Sequence, residues 1–228
     1  VVEELGADGY LYGHTEVEGN RVDIVVRVDG RSFSQLTERV AEKPFDAAFQ
    51  AHMQRAAEGL VSSLSGVDAY TESDEISVLL PRASRVFDRE VEKLVSLAAA
   101  RAAATVSLGL GEVVEFDGRV WVGATEDDVV DYFRWRQGDA ARCALNAHCY
   151  WALRKEGMSR ADATVALHGA TSSQKHELLF ARGVNFSTLP SWQRRGVGVY
   201  LEPYEKEGLD PRSGETVRVR RRRLRVDT

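Results

Sequence analysis

Apolar and polar positions change period along the chain, and each change marks an element. RVDIVVRV (21–28) is β-branched and almost continuously apolar, the pattern of a strand covered on both faces. After a loop, Phe45, Phe49, Met53, Ala56, Leu60 and Leu64 recur at helical spacing, with Pro44 suited to the first helical position. VDAYTESDEISVLL (67–80) splits into two β-prone runs around a polar centre, which predicts a hairpin. A second amphipathic helix is predicted over 87–106, with Val91, Leu94, Val95 and Ala98 inward. EVVEFDGRVWVG (112–123) sets Asp117-Gly118 between alternating runs, a hairpin signal whose first arm supplies the next strand.

The resulting order, β-α-β-β-α-β, is the split βαβ of the ferredoxin-like fold, an α+β class. The right-handed crossover rule makes the first two strands parallel and leaves a gap that the third fills antiparallel. The turn between strands two and three then lies where strand one ends, so Asp29 meets Ser73-Asp74-Glu75. From about residue 124 the pattern is mostly helical, with Ser159 and Asp162 spaced as a helix cap and another helix starting at Ser172. A terminal β pair, GVGVYLEP and TVRVRRRRLRV, closes the chain around a loop at 203–214. The predicted division is 1–123 and 124–228.

Composition changes this picture in three places. The 228 residues are 43% hydrophobic, enough for a core, and the net charge of -5 removes any global field that would draw the chain to nucleic acid or membrane. Basic surface must be local, and the arginine run at 217–226 is either a solvated edge strand or a phosphate-contacting patch. Cys143 and Cys149 fit no zinc or redox spacing and are expected to be small buried thiols. No apolar run approaches the roughly 20 residues that span a bilayer, so a soluble cytoplasmic protein without a membrane partner is expected.

Asp29 and Asp74, converging beside Gly30, make an oxygen-ligand site for magnesium, and a pair of such ions points to nucleotidyl transfer. The plainer account has Asp29 capping a loop and Asp74 and Glu75 as ordinary turn residues. Arg31, Ser32 and Ser34 offer donors to a triphosphate, with Lys43 near the helix start. Other motifs fail: there is no P-loop, HELLF (176–180) lacks a second histidine, and Ser172-x-x-Lys175 lacks its companion motifs. His14, His52, His148 and His168 have no metal-ligand spacing.

RVDGRSF (27–33), YTESDEIS (70–77), FDGRV (116–120), DYFRWRQGD (131–139) and QKHELLF (174–180) occur in an order that resembles the tRNA-histidine guanylyltransferase superfamily, over about residues 22–200. The resemblance implies a polymerase-type palm over 1–123, with a helical extension and terminal β pair over 124–228 that bind RNA and the activating nucleotide. It also implies two Mg²⁺ ions on Asp29, Asp74 and the Gly30 carbonyl, with Glu75 as adjacent acidic support. Gly30, Arg31, Ser32, Phe33, Ser34 and Ser73 would contact the GTP triphosphate. Lys43, Lys175 and Asn185 would hold the activated end, and Arg136 would face RNA. Members activate the 5′ end of tRNA with ATP or GTP and extend it in the 3′–5′ direction, as homotetramers by resemblance.

One departure stands out. Where histidine-specific members carry His-x-Asn-Asn after WRQ-D, this chain has Ala140-Ala141-Arg142-Cys143-Ala144. That favours the template-directed branch that repairs truncated tRNA 5′ ends over a strict histidine-tRNA enzyme. A palm enzyme acting on another RNA or a small nucleotide is a further alternative. An RNA-binding module without catalysis would need stacking aromatics on the sheet, and ISVLL offers none.

Overall fold

The computed structural model describes residues 2–5, 11–13, 16–17, 20–209, 211–212 and 214–228, with backbone alone before Val22. Two short hairpins lie in the N-terminal segment, Val2–Leu5 with Leu11–Gly13 and Glu16–Val17 with Asn20–Arg21. His14 lies outside the described residues.

The main sheet has six strands: β1 (Asp23–Gly30), β2 (Asp68–Glu72), β3 (Glu75–Leu80), β4 (Phe116–Gly123), β5 (Val197–Leu209) and β6 (Thr216–Asp227). Their order is β6-β5-β2-β3-β1-β4, and every neighbouring pair is antiparallel. β1 and β2 are thus parallel to each other with β3 between them, as the crossover rule requires. This is the expected α+β, polymerase-type arrangement.

Alternation along β1 and β3 sends Ile24, Val26, Val28, Ile76, Val78 and Leu80 into one core. Helices α2 (Ala47–Ser63) and α3 (Val91–Leu110) close that core with Met53, Ala56, Leu60, Leu94, Ala98 and Ala102, whose small alanines permit close approach. α3 is long and apolar enough to cross a membrane by length and composition, contrary to the expectation of no such run. In the fold one face of it is core.

The opposite sheet face is covered by α4 (Glu126–Lys155), a single helix of 30 residues started by a Thr125/Asp128 capping box. Its Tyr132 hydroxyl lies 2.9 Å from Ser77 Oγ, and its ring packs 4.9 Å from Trp121. The C-terminal half of α4 builds a second core with α5 (Arg160–Leu167) and α6 (Ser172–Phe180), through Leu145, Cys149, Leu153, Ala163, Leu167 and Leu179. A short α7 (Ser191–Arg195) leads into β5.

Four local expectations are corrected. The segment after β1 is not a loop, because Phe33–Val40 forms helix α1. The next helix starts at Ala47 rather than Pro44, since Asp46 caps it by accepting from Phe49 N at 2.8 Å. Asp117-Gly118 makes no turn: both residues lie inside β4, and a Cβ on Gly118 would meet Val95 O at 2.7 Å. The glycine is there because α3 crosses close to the strand. Of the two thiols Cys149 is buried, whereas Cys143 is exposed.

Candidate active site

β1 ends at Asp29-Gly30, and the β2–β3 hairpin turns through only Ser73 and Asp74, since Glu72 pairs directly with Glu75. Gly30 N donates to the Asp74 carbonyl at 3.1 Å, which ties the turn to the end of β1. Register also sets Asp29 between Glu75 on one side and Asp117 on the other. A Cβ at Gly30 would meet the Phe33 ring at 2.4 Å, so glycine lets that ring cover the strand end.

Burial pushes the Asp74 carboxyl above the usual carboxylate range; the Ser73 hydroxyl, 2.8 Å from its Oδ1, pulls it down, and the nearby Asp29 pushes it further up. Two neighbouring carboxylates with a backbone carbonyl are an all-oxygen donor set suited to a hard divalent cation. Among the described residues no group of three His, Cys, Asp or Glu forms a metal cage. Magnesium characteristically takes one or two carboxylates and fills its other positions with water and phosphate oxygens, so the pair fits it.

Asp74 opens into a cleft of ≈ 460 Å³ whose lining also includes Phe33, Ser34, Lys43, Ser73 and Glu72. α1 begins at this edge, and its first backbone N–H groups have no acceptor within the helix, which makes an anion cradle of Ser32, Phe33 and Ser34. Ser32 itself is left-handed, φ 61. Lys43 bonds Thr37 Oγ1 and lies 5.8 Å from the Trp151 ring centre. Burial lowers its ammonium from the ordinary value, against the pull of Glu38, Asp74 and Asp46.

The far wall carries residues that the sequence reading missed: Phe45, Tyr150, Trp151 and Trp192. Trp192 packs edge-on to Phe45 at 5.9 Å. Their only sequence signal is aromatic content in separate segments, with nothing local to join them. Ala140, Cys143, Ala144 and Ala147 of α4 also face the cleft, so three residues of the run that departs from His-x-Asn-Asn add small side chains beside Asp74, while Arg142 of that run pairs with Asp139.

Asp29 and Gly30 adjoin the cleft through the bond to Asp74 without lining it, and several other expected site residues are placed elsewhere. Arg31 turns outward to Glu115, 2.9 Å away, in a neighbouring hollow that also holds Ser32. Lys175 lines a separate hollow with His168 and Gln174, and Asn185 caps the turn at Phe186–Thr188, accepting from Ser187 N at 3.1 Å. Neither lines the Asp74 cleft in the single chain. Arg136 is 6% exposed, so it does not face RNA. Its Nε and Nη2 donate to Glu75 at 2.7 and 2.8 Å, and Nη2 donates to Glu72 at 2.9 Å. Glu75 is correspondingly held by Arg136 beside its strand partner Asp29 and does not line the cleft. Burial raises both glutamates, Glu72 to about 8.

Comparison with known proteins covers most of the chain. The tRNAHis guanylyltransferase family model matches residues 14–126, and that of the Thg1 C terminal domain matches residues 127–226. A tRNA(His) guanylyltransferase of Debaryomyces hansenii is 32% identical over 219 residues, covering 89% of this chain and 83% of that protein. A probable tRNA(His) guanylyltransferase of Dictyostelium discoideum is 32% identical over 203 residues, covering 80% and 77%. The crystal structure of the Saccharomyces cerevisiae tRNA(His) guanylyltransferase superposes with a TM-score of 0.73 at 26% identity, covering 81% of this chain and 88% of that one. A bacterial tRNA(His) guanylyltransferase-like protein in complex with GTP gives 0.69 at 27%, covering 91% and 83%.

Proposed function

The chain belongs to the tRNA-histidine guanylyltransferase family and is a nucleotidyltransferase adding nucleotides to tRNA; from that premise we propose a magnesium-dependent enzyme that repairs truncated tRNA 5′ ends in the 3′–5′ direction. The observation that carries this reading is the juncture of the strand end Asp29-Gly30 with Asp74 beside the N-terminus of α1, where Asp74 opens into an aromatic-walled cleft. Carboxylates for the cation, a helix start for phosphates and flat apolar walls for a base are the three parts a nucleoside triphosphate needs.

Asp29, Asp74 and the Gly30 carbonyl would hold Mg²⁺, two ions in the full proposal. When bound, the metal lowers the pKa of an attacking hydroxyl and neutralises charge on the leaving phosphate. Ser32, Phe33 and Ser34 would direct backbone N–H groups at the triphosphate, and Lys43, bonded to Thr37 of α1, would add a positive charge near Asp74. Phe45, Trp151 and Trp192 offer faces and edges to the base and exclude water from it. The bacterial relative whose structures hold GTP and ATP supports both nucleotides as ligands here.

The small wall at Ala140, Cys143, Ala144 and Ala147 supports repair over strict histidine-tRNA recognition, because it presents no imidazole or amide to read an anticodon. In this proposal residues 1–123 form the catalytic palm and 124–228 the RNA-binding extension. The protein would work in the cytoplasm as a homotetramer, an arrangement in which Lys175 and Asn185 can serve a site they do not reach within one chain.

The test is incorporation of labelled GTP, with Mg²⁺ and ATP, into 5′-monophosphorylated tRNAs that are full length or lack the first nucleotide. Label should enter the truncated tRNAs according to the template base; no incorporation into any RNA overturns the proposal. Asp29→Asn and Asp74→Asn should each lower incorporation by about 10³-fold or more with the circular dichroism melt retained.

A further inference from the structure

Arg136 is buried, yet it sits at the base of the turn that carries Asp74. Glu72 and Glu75 close that two-residue turn as directly opposed partners, so their side chains stand side by side on one sheet face. Both are buried, at 9% and 7% exposure, so their carboxyl oxygens must find partners inside the protein rather than in water. One guanidinium answers both: it forks onto Glu75 and spans the strand gap to Glu72. Asp139 Oδ2 holds Nη2 from α4 at 3.3 Å, and the Trp135 ring lies 4.6 Å from the guanidinium carbon. Arg27 assists Glu75 at 3.7 Å and does not bridge to Glu72.

The turn needs this support. Ser73 has φ 49, a conformation that non-glycine residues rarely adopt, and the Gly30 N–H ties Asp74 only through its backbone. We infer that Arg136 is a positioning residue, which holds Asp74 at its spacing from Asp29 by clamping both ends of the turn. The inference rests on the metal-holding role proposed above for the two aspartates. It also accounts for arginine at this place: a lysine ammonium has no planar fork with which to engage two carboxylates at once.

Mn²⁺ titrated calorimetrically into RNA-free protein reads the clamp without catalysis. Arg136→Met should weaken Mn²⁺ affinity by about 10-fold or more and raise the Mg²⁺ concentration for half-maximal incorporation in parallel. Its tRNA affinity should stay at the wild-type value, and Arg136→Lys should fall between the two proteins. Unchanged Mn²⁺ affinity in both variants, or a loss confined to tRNA affinity, overturns the inference. Where the methionine variant fails to fold, the lysine variant decides: Mn²⁺ affinity equal to wild type overturns the clamp, and a reduced one with the melt intact supports it. Wild-type protein that binds no Mn²⁺ would sink the metal site and the clamp together, whereas active, metal-binding wild type with indifferent variants sinks the clamp alone.

Discussion

At the scale of single residues, Asp74 answers to burial and to Asp29, both of which favour its protonated form. Its carboxyl in the fold titrates above its unfolded value, so the folded state keeps a proton that the unfolded chain has already lost. Stability from this group is therefore full at low pH and declines as pH rises through the raised value. Divalent metal needs the ionised form and should restore that loss. The magnesium-induced rise in Tm is thus expected to be larger at about pH 8 than at about pH 5 in scanning fluorimetry, and Asp74→Asn should abolish the difference. Equal rises at both pH values would contradict the assignment. Asp29 and Asp74 were readable from sequence because strand order alone brings them together. Arg136 was not: a guanidinium in WRQ looks the same on a helix surface as inside, and only the opposed Glu72 and Glu75 give it a buried counter-charge.

At the scale of elements, β4 and α1 were misread for opposite reasons. Asp117-Gly118 has the residues of a tight turn, but α3 lies against the strand so closely that only glycine fits. Local propensity lost to a tertiary contact. Gly118→Ala should accordingly cost on the order of 1–3 kcal/mol in urea unfolding. A neutral result would contradict the close crossing of α3 at this glycine. α1 was missed because Phe33–Val40 is short and its entry residue Ser32 is left-handed with no side-chain cap. Its helical form is supported from outside by Phe33, which packs on Phe49 and Phe116 at 6.0 and 5.1 Å.

At the scale of the whole molecule, β5 and β6 run past the sheet. β5 pairs with β2 as far as Tyr200, and Leu201 N still donates to the Val67 carbonyl at 3.1 Å; beyond it the two strands run on as an arm bonded to each other. Arg218 is matched by Glu207, and Arg223 and Arg225 by Glu202. Arg220, Arg221 and Arg222 make no ion pair among the described residues and line a hollow of ≈ 580 Å³ with Val67, Leu201 and Pro203. A chain of net charge -5 that binds tRNA must concentrate its positive charge, and this arm is one place where it does. Replacing all three arginines by glutamine should weaken tRNA binding and lower the slope of log affinity against log salt by up to roughly 3, with Tm unchanged. An unaltered slope in filter binding would return the arm to the role of a charge-protected edge.

The sequence by itself determined the β-α-β-β-α-β order, the meeting of Asp29 with Asp74 and the family motifs, because hydrophobic period and crossover handedness act locally and allow few topologies. Tertiary structure alone decided that α1 is a helix, that Gly118 is a packing glycine and that Arg136 lies under the site. It also joined Phe45, Trp151 and Trp192 into one wall beside Asp74. These depend on which surfaces face each other across the fold, and burial changes what a charge or a glycine is for.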